Sequence, residues 1–199
     1  MFRVYSFQEC CGGLHFGDVL CLDLVKMNWN KLATTGEKPG PRDSRGAVLV
    51  GHRMIVFGGT NGFKEGTPPS PRESHTATLV GDERLVIFGG SGEGEANYLN
   101  DLHVLDLQTM RWTSPPVKRD LSVPRDSHNT LAIGNRLFVY GGDCGDQYQG
   151  DVNLDIRGQP PQGQFSHIVV LADTDIAIYG GCGEDERPLN ELLVLQLGA

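Results

Sequence analysis

Residues 71–91 read PRESHTATLVGDERLVIFGGS. An alternating run, TATLV, meets a short polar turn, GDER, and a second apolar run, LVIF, empties into a glycine pair. The pattern predicts a β-hairpin that ends at Gly89-Gly90, because branched and aromatic residues favour strands while Gly and Asp make turns. A glycine-rich loop after an apolar strand is also the written form of a phosphate cradle. Such a cradle needs a helix behind it to aim amides at the anion. No helical periodicity follows here, and Glu93 and Glu95 would repel a phosphate.

The stretch has relatives in the same chain. PRDSRGAVLVGHRMIVFGGT starts at Pro41, PRDSHNTLAIGNRLFVYGGD at Pro124, and a weaker copy, GQFSHIVVLADTDIAIYGGC, at Gly163. The glycine pair therefore recurs as Gly58-Gly59, Gly89-Gly90, Gly141-Gly142 and Gly180-Gly181, with a further pair at Gly12-Gly13. A nucleotide fingerprint occurs once, whereas an architectural turn occurs once per repeat. We read the pairs as positions that need φ > 0 and close backbone approach.

A second element alternates with the hairpins. DVLCLDLVKMNW spans Asp18 to Trp29 and DLHVLDLQTMRW spans Asp101 to Trp112, the second Asp preceding the Trp by six residues in both. NELLVLQL, Asn190 to Leu197, is a third version without the Trp. Four strands in about 50 residues, with paired glycines and a late Trp, resemble the kelch repeat, one blade of a β-propeller. The sequence is similar to plant multi-kelch proteins, in the superfamily that includes galactose oxidase. The fold expected is all-β, a kelch-type propeller in one domain.

The repeats are unevenly spaced. Pro41 to Pro71 is 30 residues and Pro71 to Pro124 is 53, so the earlier unit lacks its third and fourth strands. We divide the chain into units 1–40 (partial), 41–70 (truncated), 71–123 (complete), 124–162 (truncated) and 163–199 (partial). With three, two, four, three and three strands, they make somewhat under four whole blades. The propeller expected is incomplete, a shortened form of a ring of six or so blades, and its open blades suggest self-association.

Composition narrows function. Twenty-seven glycines in 199 residues fit a turn-rich fold, and the net charge of −8 speaks against a nucleic-acid binder or an anionic membrane surface. No apolar run reaches the roughly 18 residues of a membrane span, and no signal peptide is evident. The five cysteines show no CxxC spacing, so neither a zinc ribbon nor a disulfide framework is expected. Cytosol or nucleus is the expected location.

His75, His128 and His167 share one repeat slot, which Arg45 fills in the second unit. Copies in separate blades would not converge on one ion, so they read as packing or hydrogen-bonding residues between blades. Trp29 and Trp112 recur in phase and read as blade core. The resemblance implies non-catalytic scaffold or adaptor work. The alternative is a metal enzyme of galactose-oxidase-like or nitrile-specifier-like type, although the ExxxDxxxH iron motif of the latter is missing. No cofactor is expected.

Strands that alternate direction put the loops after the glycine pairs, and the segments between blades, on one face. Those loops are acidic, with Glu93, Glu95, Asp143, Asp146, Glu184, Asp185 and Glu186. The expected partner is a protein with a basic segment, met by this face. Arg42, Arg72 and Arg125 recur beside the loops and either bind a carboxylate or phosphate on the partner or pair with the adjacent Asp43, Glu73 and Asp126.

Overall fold

A computed structural model of the chain describes residues 3–7, 19–33, 35, 46–50, 53–57, 66–116, 123–145, 163–183 and 187–196. Among them there is no helix. Fourteen strands among the described residues form five antiparallel sheets.

The first unit is a three-stranded sheet of β1 (Arg3–Phe7), β2 (Val19–Asp23) and β3 (Asn28–Lys31). The second is a hairpin of β4 (Gly46–Val50) and β5 (Arg53–Phe57). The third has four strands, β6 (Thr76–Val80), β7 (Arg84–Ser91), β8 (Tyr98–Asp106) and β9 (Arg111–Thr113), paired in chain order. The fourth is a hairpin of β10 (Asn129–Ile133) and β11 (Arg136–Tyr140), and the fifth is a sheet of β12 (Ile168–Ala172), β13 (Asp175–Tyr179) and β14 (Leu192–Gln196). The third strand expected in the fourth unit falls outside the described residues.

First strands of successive units stand side by side, β4 near β6, β6 near β10 and β10 near β12. That is the arrangement of propeller blades, whose innermost strands line the axis. Among the described residues no strand pairing joins the first sheet to the last. The fold is an incomplete, unclosed kelch-type propeller.

Local chemistry explains the turns. At the tips of the β6–β7, β10–β11 and β12–β13 hairpins, Gly81, Gly134 and Asp173 take φ of 61°, 59° and 55°. Gly and Asp tolerate that left-handed backbone better than most residues. The Asp that precedes each Trp by six residues holds the next turn. Asp106 Oδ1 accepts bonds from the Gln108 and Thr109 amides at 3.0 and 2.7 Å. Asp23 Oδ1 accepts from the Val25 and Lys26 amides at 2.9 and 3.0 Å. Such side-chain bonds replace backbone ones where the strand reverses.

The core sits between sheets. Leu85, Ile87, Leu105 and Trp112 of the third unit are buried together, with Ile55 of the preceding hairpin packed on them. Tyr140 of the fourth unit joins Ile176 and Ile178 of the fifth, flanked by Leu131, Ile133, Val169, Leu193 and Leu195. Each large apolar side chain buried this way is worth about 1.5–3 kcal/mol relative to exposure. Trp29 departs from the expected core role, being 55% exposed against 4% for Trp112. Both pair across from a leucine, Trp29 with Leu22 and Trp112 with Leu105. The difference is that Trp112 packs in the cluster that Ile55 covers.

Candidate partner-binding face

The loops that would meet a partner rest on a repeated interlock between blades. In the third unit the second glycine of the pair lies against its own blade's entry bend. A Cβ on Gly90 would sit 2.8 Å from His75 Cβ and 2.6 Å from Glu73 O. The first glycine lies against the next blade, and a Cβ on Gly89 would meet His128 Cε1 and Arg125 O at 2.8 Å. The arrangement repeats one unit on. Gly142 lies against His128 Cβ and Asp126 O, while Gly141 lies against His167 Cε1 and Gln164 O. All four glycines take φ between 60° and 103°. Shape and backbone sign both demand glycine here.

Polar bonds tie the same junctions. Gly90 N–H donates to Arg125 O at 2.9 Å and Ser127 N–H to Ser74 O at 2.9 Å. One unit further, Gly142 N–H donates to Gln164 O at 2.9 Å and Ser166 N–H to Ser127 O at 3.1 Å. His128 Nε2 and Thr76 Oγ1 are 3.1 Å apart. The His128 ring meets Phe88 edge-on with centroids 5.3 Å apart, and His167 meets Tyr140 in the same way at 4.9 Å. Burial lowers the pKa of His75 to about 4, of His128 to about 3 and of His167 to about 4, with Arg72 adding to the effect on the first and Arg125 on the second. His128 and His167 sit in successive interfaces, against Gly89 and Phe88 and against Gly141 and Tyr140. Among the described residues no group of three or more His, Cys, Asp or Glu side chains is placed to hold a metal ion.

Arg72 and Arg125 correct the expectation that placed them on the docking face. Both are buried. Arg72 forks onto Asp101, Nη1 to Oδ1 at 2.5 Å and Nη2 to Oδ2 at 2.8 Å, and also donates to Gly89 O at 3.1 Å. Its carboxylate partner is thus 29 residues away, not the adjacent Glu73. His103 Nε2 lies 2.8 Å from the same carboxylate. Burial tends to raise the Asp101 pKa, but the bonds from Arg72 and His103 outweigh it and hold the carboxyl below its ordinary value. Arg125 Nη1 donates to Gly141 O at 2.9 Å, the counterpart of the Arg72–Gly89 bond. The adjacent Asp126 accepts from the Ser91 hydroxyl instead. The arginines knit each entry bend to the glycine pair of its own blade.

The acidic loops fare differently. Glu73, Asp126 and Phe165 in the entry bends bridge to Ser91, Asp143 and Cys182 just after the glycine pairs, so bends and loops share one end of the blades. The β7–β8 loop is tight. Gly92 N–H donates to Asn97 O at 3.0 Å, Asn97 Nδ2 donates to Glu93 O at 3.0 Å, and Gly94 and Ala96 take φ of 103° and 53°. Glu93 and Glu95 project from it, exposed. Asp143 is half-buried, and its Oδ1 accepts from the Gly145 amide at 2.8 Å. Arg42, Gly58, Gly59, Asp146, Glu184, Asp185 and Glu186 lie outside the described residues. The role of Asp101 was not singled out from sequence, although its place in the recurring DL…D element marks it.

Stacked antiparallel blades with a shared interlock define a blade-type β-repeat protein. Residues 60–154 match the model of the KLHDC2/KLHL20/DRC7 Kelch-repeats domain, so the repeats in that stretch are of the kelch type. It is 33% identical over 126 residues to acyl-CoA-binding domain-containing protein 4 of Arabidopsis thaliana, covering 63% of this chain and 14% of that one. It is 26% identical over 178 residues to kelch domain-containing protein 1 of Mus musculus, covering 82% of this chain and 41% of that one. To the human Rab9 effector protein with kelch motifs it is 33% identical over 109 residues, covering 47% of this chain and 29% of that one. The chain thus spans well under half the length of these relatives.

Proposed function

We propose that the chain is a non-catalytic protein-interaction module with scaffold or adaptor work, and that its acidic loop face docks a basic or mixed-charge segment of a partner protein. The β7–β8 loop carries this reading. Its backbone is fixed by its own hydrogen bonds, it stands on an interlocked blade, and its exposed charges are Glu93 and Glu95. A preorganised loop loses little entropy on binding, and complementary charge speeds encounter and sets specificity. A relative named as an effector of Rab9 carries repeats of this kind, which supports an interaction role. Cytosol or nucleus suits such a role.

The test titrates a fluorescent lysine-rich peptide with the full chain and with a Glu93→Lys/Glu95→Lys variant. We expect the variant to bind about tenfold more weakly, with the gap closing as salt rises. Equal binding by both proteins at low salt would remove the acidic loop from the docking face.

A further inference from the structure

One repeat position carries a hydroxyl that its counterparts lack. Ser70-Pro71-Arg72 and Val123-Pro124-Arg125 hold the same place at the entry of the third and fourth units, and Gly40-Pro41-Arg42 is the copy before them. The bond common to the two described copies needs only a backbone carbonyl. Ser70 O accepts from Arg72 Nε at 3.1 Å, and Val123 O accepts from Arg125 Nε at 3.3 Å. The Ser70 hydroxyl is additional. Its Oγ accepts from Arg72 Nη2 at 3.0 Å, and the same nitrogen donates to Asp101 Oδ2 at 2.8 Å. A fully buried guanidinium is thus shared between a carboxylate and a serine oxygen.

Ser70 itself is exposed, in the run Thr67-Pro68-Pro69-Ser70-Pro71 that belongs to no strand. Prolines have no N–H to give a sheet, and they keep the residue before them extended. An exposed serine on an extended segment with proline next is the form in which proline-directed protein kinases take their substrates. Thr67-Pro68 and Ser114-Pro115 are exposed as well, but Ser114 Oγ donates to Leu102 O at 3.2 Å. Of these three hydroxyls, that of Ser70 is the one that meets a guanidinium among the described residues.

We propose that Ser70 is a phosphorylation site and that Arg72 receives the phosphate, giving up its fork on Asp101. A proline-directed kinase transfers the γ-phosphoryl group of a nucleoside triphosphate to Ser70 Oγ. The Oγ–P bond forms, the bond from the γ-phosphorus to its bridging oxygen breaks, and nucleoside diphosphate leaves. The hydroxyl proton passes to the base of the kinase. The product carries a charge of about −1.5 to −2 at pH 7 and three acceptor oxygens, against the single charge of Asp101. Forked, charge-assisted bonds to the phosphate therefore outcompete those to the carboxylate. Asp101 and the exposed Glu73 are the acidic groups that stand beside the phosphate and oppose it. Asp101 keeps His103 Nε2, at 2.8 Å, when the guanidinium turns away. Modification thus loosens the latch between β8 and its own entry bend.

The full chain is incubated with a mitogen-activated protein kinase and labelled ATP, and the label is located by mass spectrometry. Incorporation at Ser70 is expected, and Ser70→Ala should remove it while leaving any label on Thr67 or Ser114. The phosphorylated chain is then titrated by phosphorus NMR, folded and in concentrated urea. The second ionisation of an unpaired phosphoserine lies near about 6. In the folded chain it should lie at least about half a pH unit lower, because the guanidinium favours the dianion, and it should return to its ordinary value in urea. Arg72→Gln should erase the difference. If that variant does not fold, the folded and urea-unfolded forms of the original chain decide alone. No label at Ser70 overturns the site, and a phosphoserine that titrates alike in both states overturns its capture by Arg72.

Discussion

Trp112 and Trp29 occupy the same place in two repeats, six residues after a turn-holding aspartate, yet one is 4% exposed and the other 55%. Their strands pair in the same way, each tryptophan opposite a leucine. What differs is the neighbour. The third unit lies between two others, with Ile55 packed on its apolar cluster from one side and the His128 bend locked to it from the other. A blade is a thin sheet, and its repeat pattern marks positions that become core only when another blade covers them. The comparison is broken most directly by truncation. Trp112→Ala should cost about 3–5 kcal/mol and Trp29→Ala less than about 1 kcal/mol, measured by urea unfolding. Acrylamide should quench Trp29 and spare Trp112. Equal costs would mean that the first sheet is covered as well.

The arginine latch gives the next largest effect. Arg72 is fully buried, and Asp101, 40% exposed, is its carboxylate partner. Removing one partner of a buried pair costs about 3–5 kcal/mol, and partial solvation of Asp101 brings the figure for Asp101→Ala to about 2 kcal/mol. Arg72→Lys should restore little, because an ammonium cannot fork onto both oxygens and reach Gly89 O as well. An Arg72→Lys chain as stable as the original would show that charge alone suffices there.

Acid separates the same regions. The unfolded histidines titrate near 6.5, and His75, His128 and His167 are held to about 4, 3 and 4 in the folded chain. Between those values the unfolded state binds protons that the folded state refuses. Stability is therefore full above about pH 6.5 and lost as pH falls toward 4, by up to about 1.4 kcal/mol per pH unit for each histidine. His128→Asn should flatten that slope in pH-dependent urea unfolding. His128 and His167 lie in the junctions of the third, fourth and fifth units, so hydrogen exchange in β6–β12 should respond to acid more than in β1–β3.

Much of this was legible in the residues. Hairpins, glycine pairs and the Asp-to-Trp spacing are local patterns, and a pattern that recurs in one chain is its own control. His128 and His167 were readable as interblade residues because their slot recurs before the first strands of four units. The arginines were not. Arg72 and Arg125 recur beside acidic neighbours on a loop face, which in sequence is indistinguishable from a docking row. Their direction depends on a carboxylate 29 residues away and on the Gly89 and Gly141 carbonyls. Trp29 failed for the complementary reason, since a repeat position records how its own sheet is built and says nothing about what lies over it.

The smallest effect comes where the loop face and the interlock meet. Glu93 and Glu95 stand on a loop whose bonds among the described residues are made by backbone atoms and Asn97. Reversing both charges should leave stability within about 0.5 kcal/mol. Asn97→Ala should cost more, about 1 kcal/mol, because the Glu93 carbonyl loses its donor. Asp126 is also a carboxylate of this face, but it accepts from Ser91 across the junction between third and fourth units. Asp126→Lys should therefore destabilise the chain where Glu93→Lys does not. If thermal unfolding ranked the two alike, the division of this face into free loop charges and bound bend charges would fail.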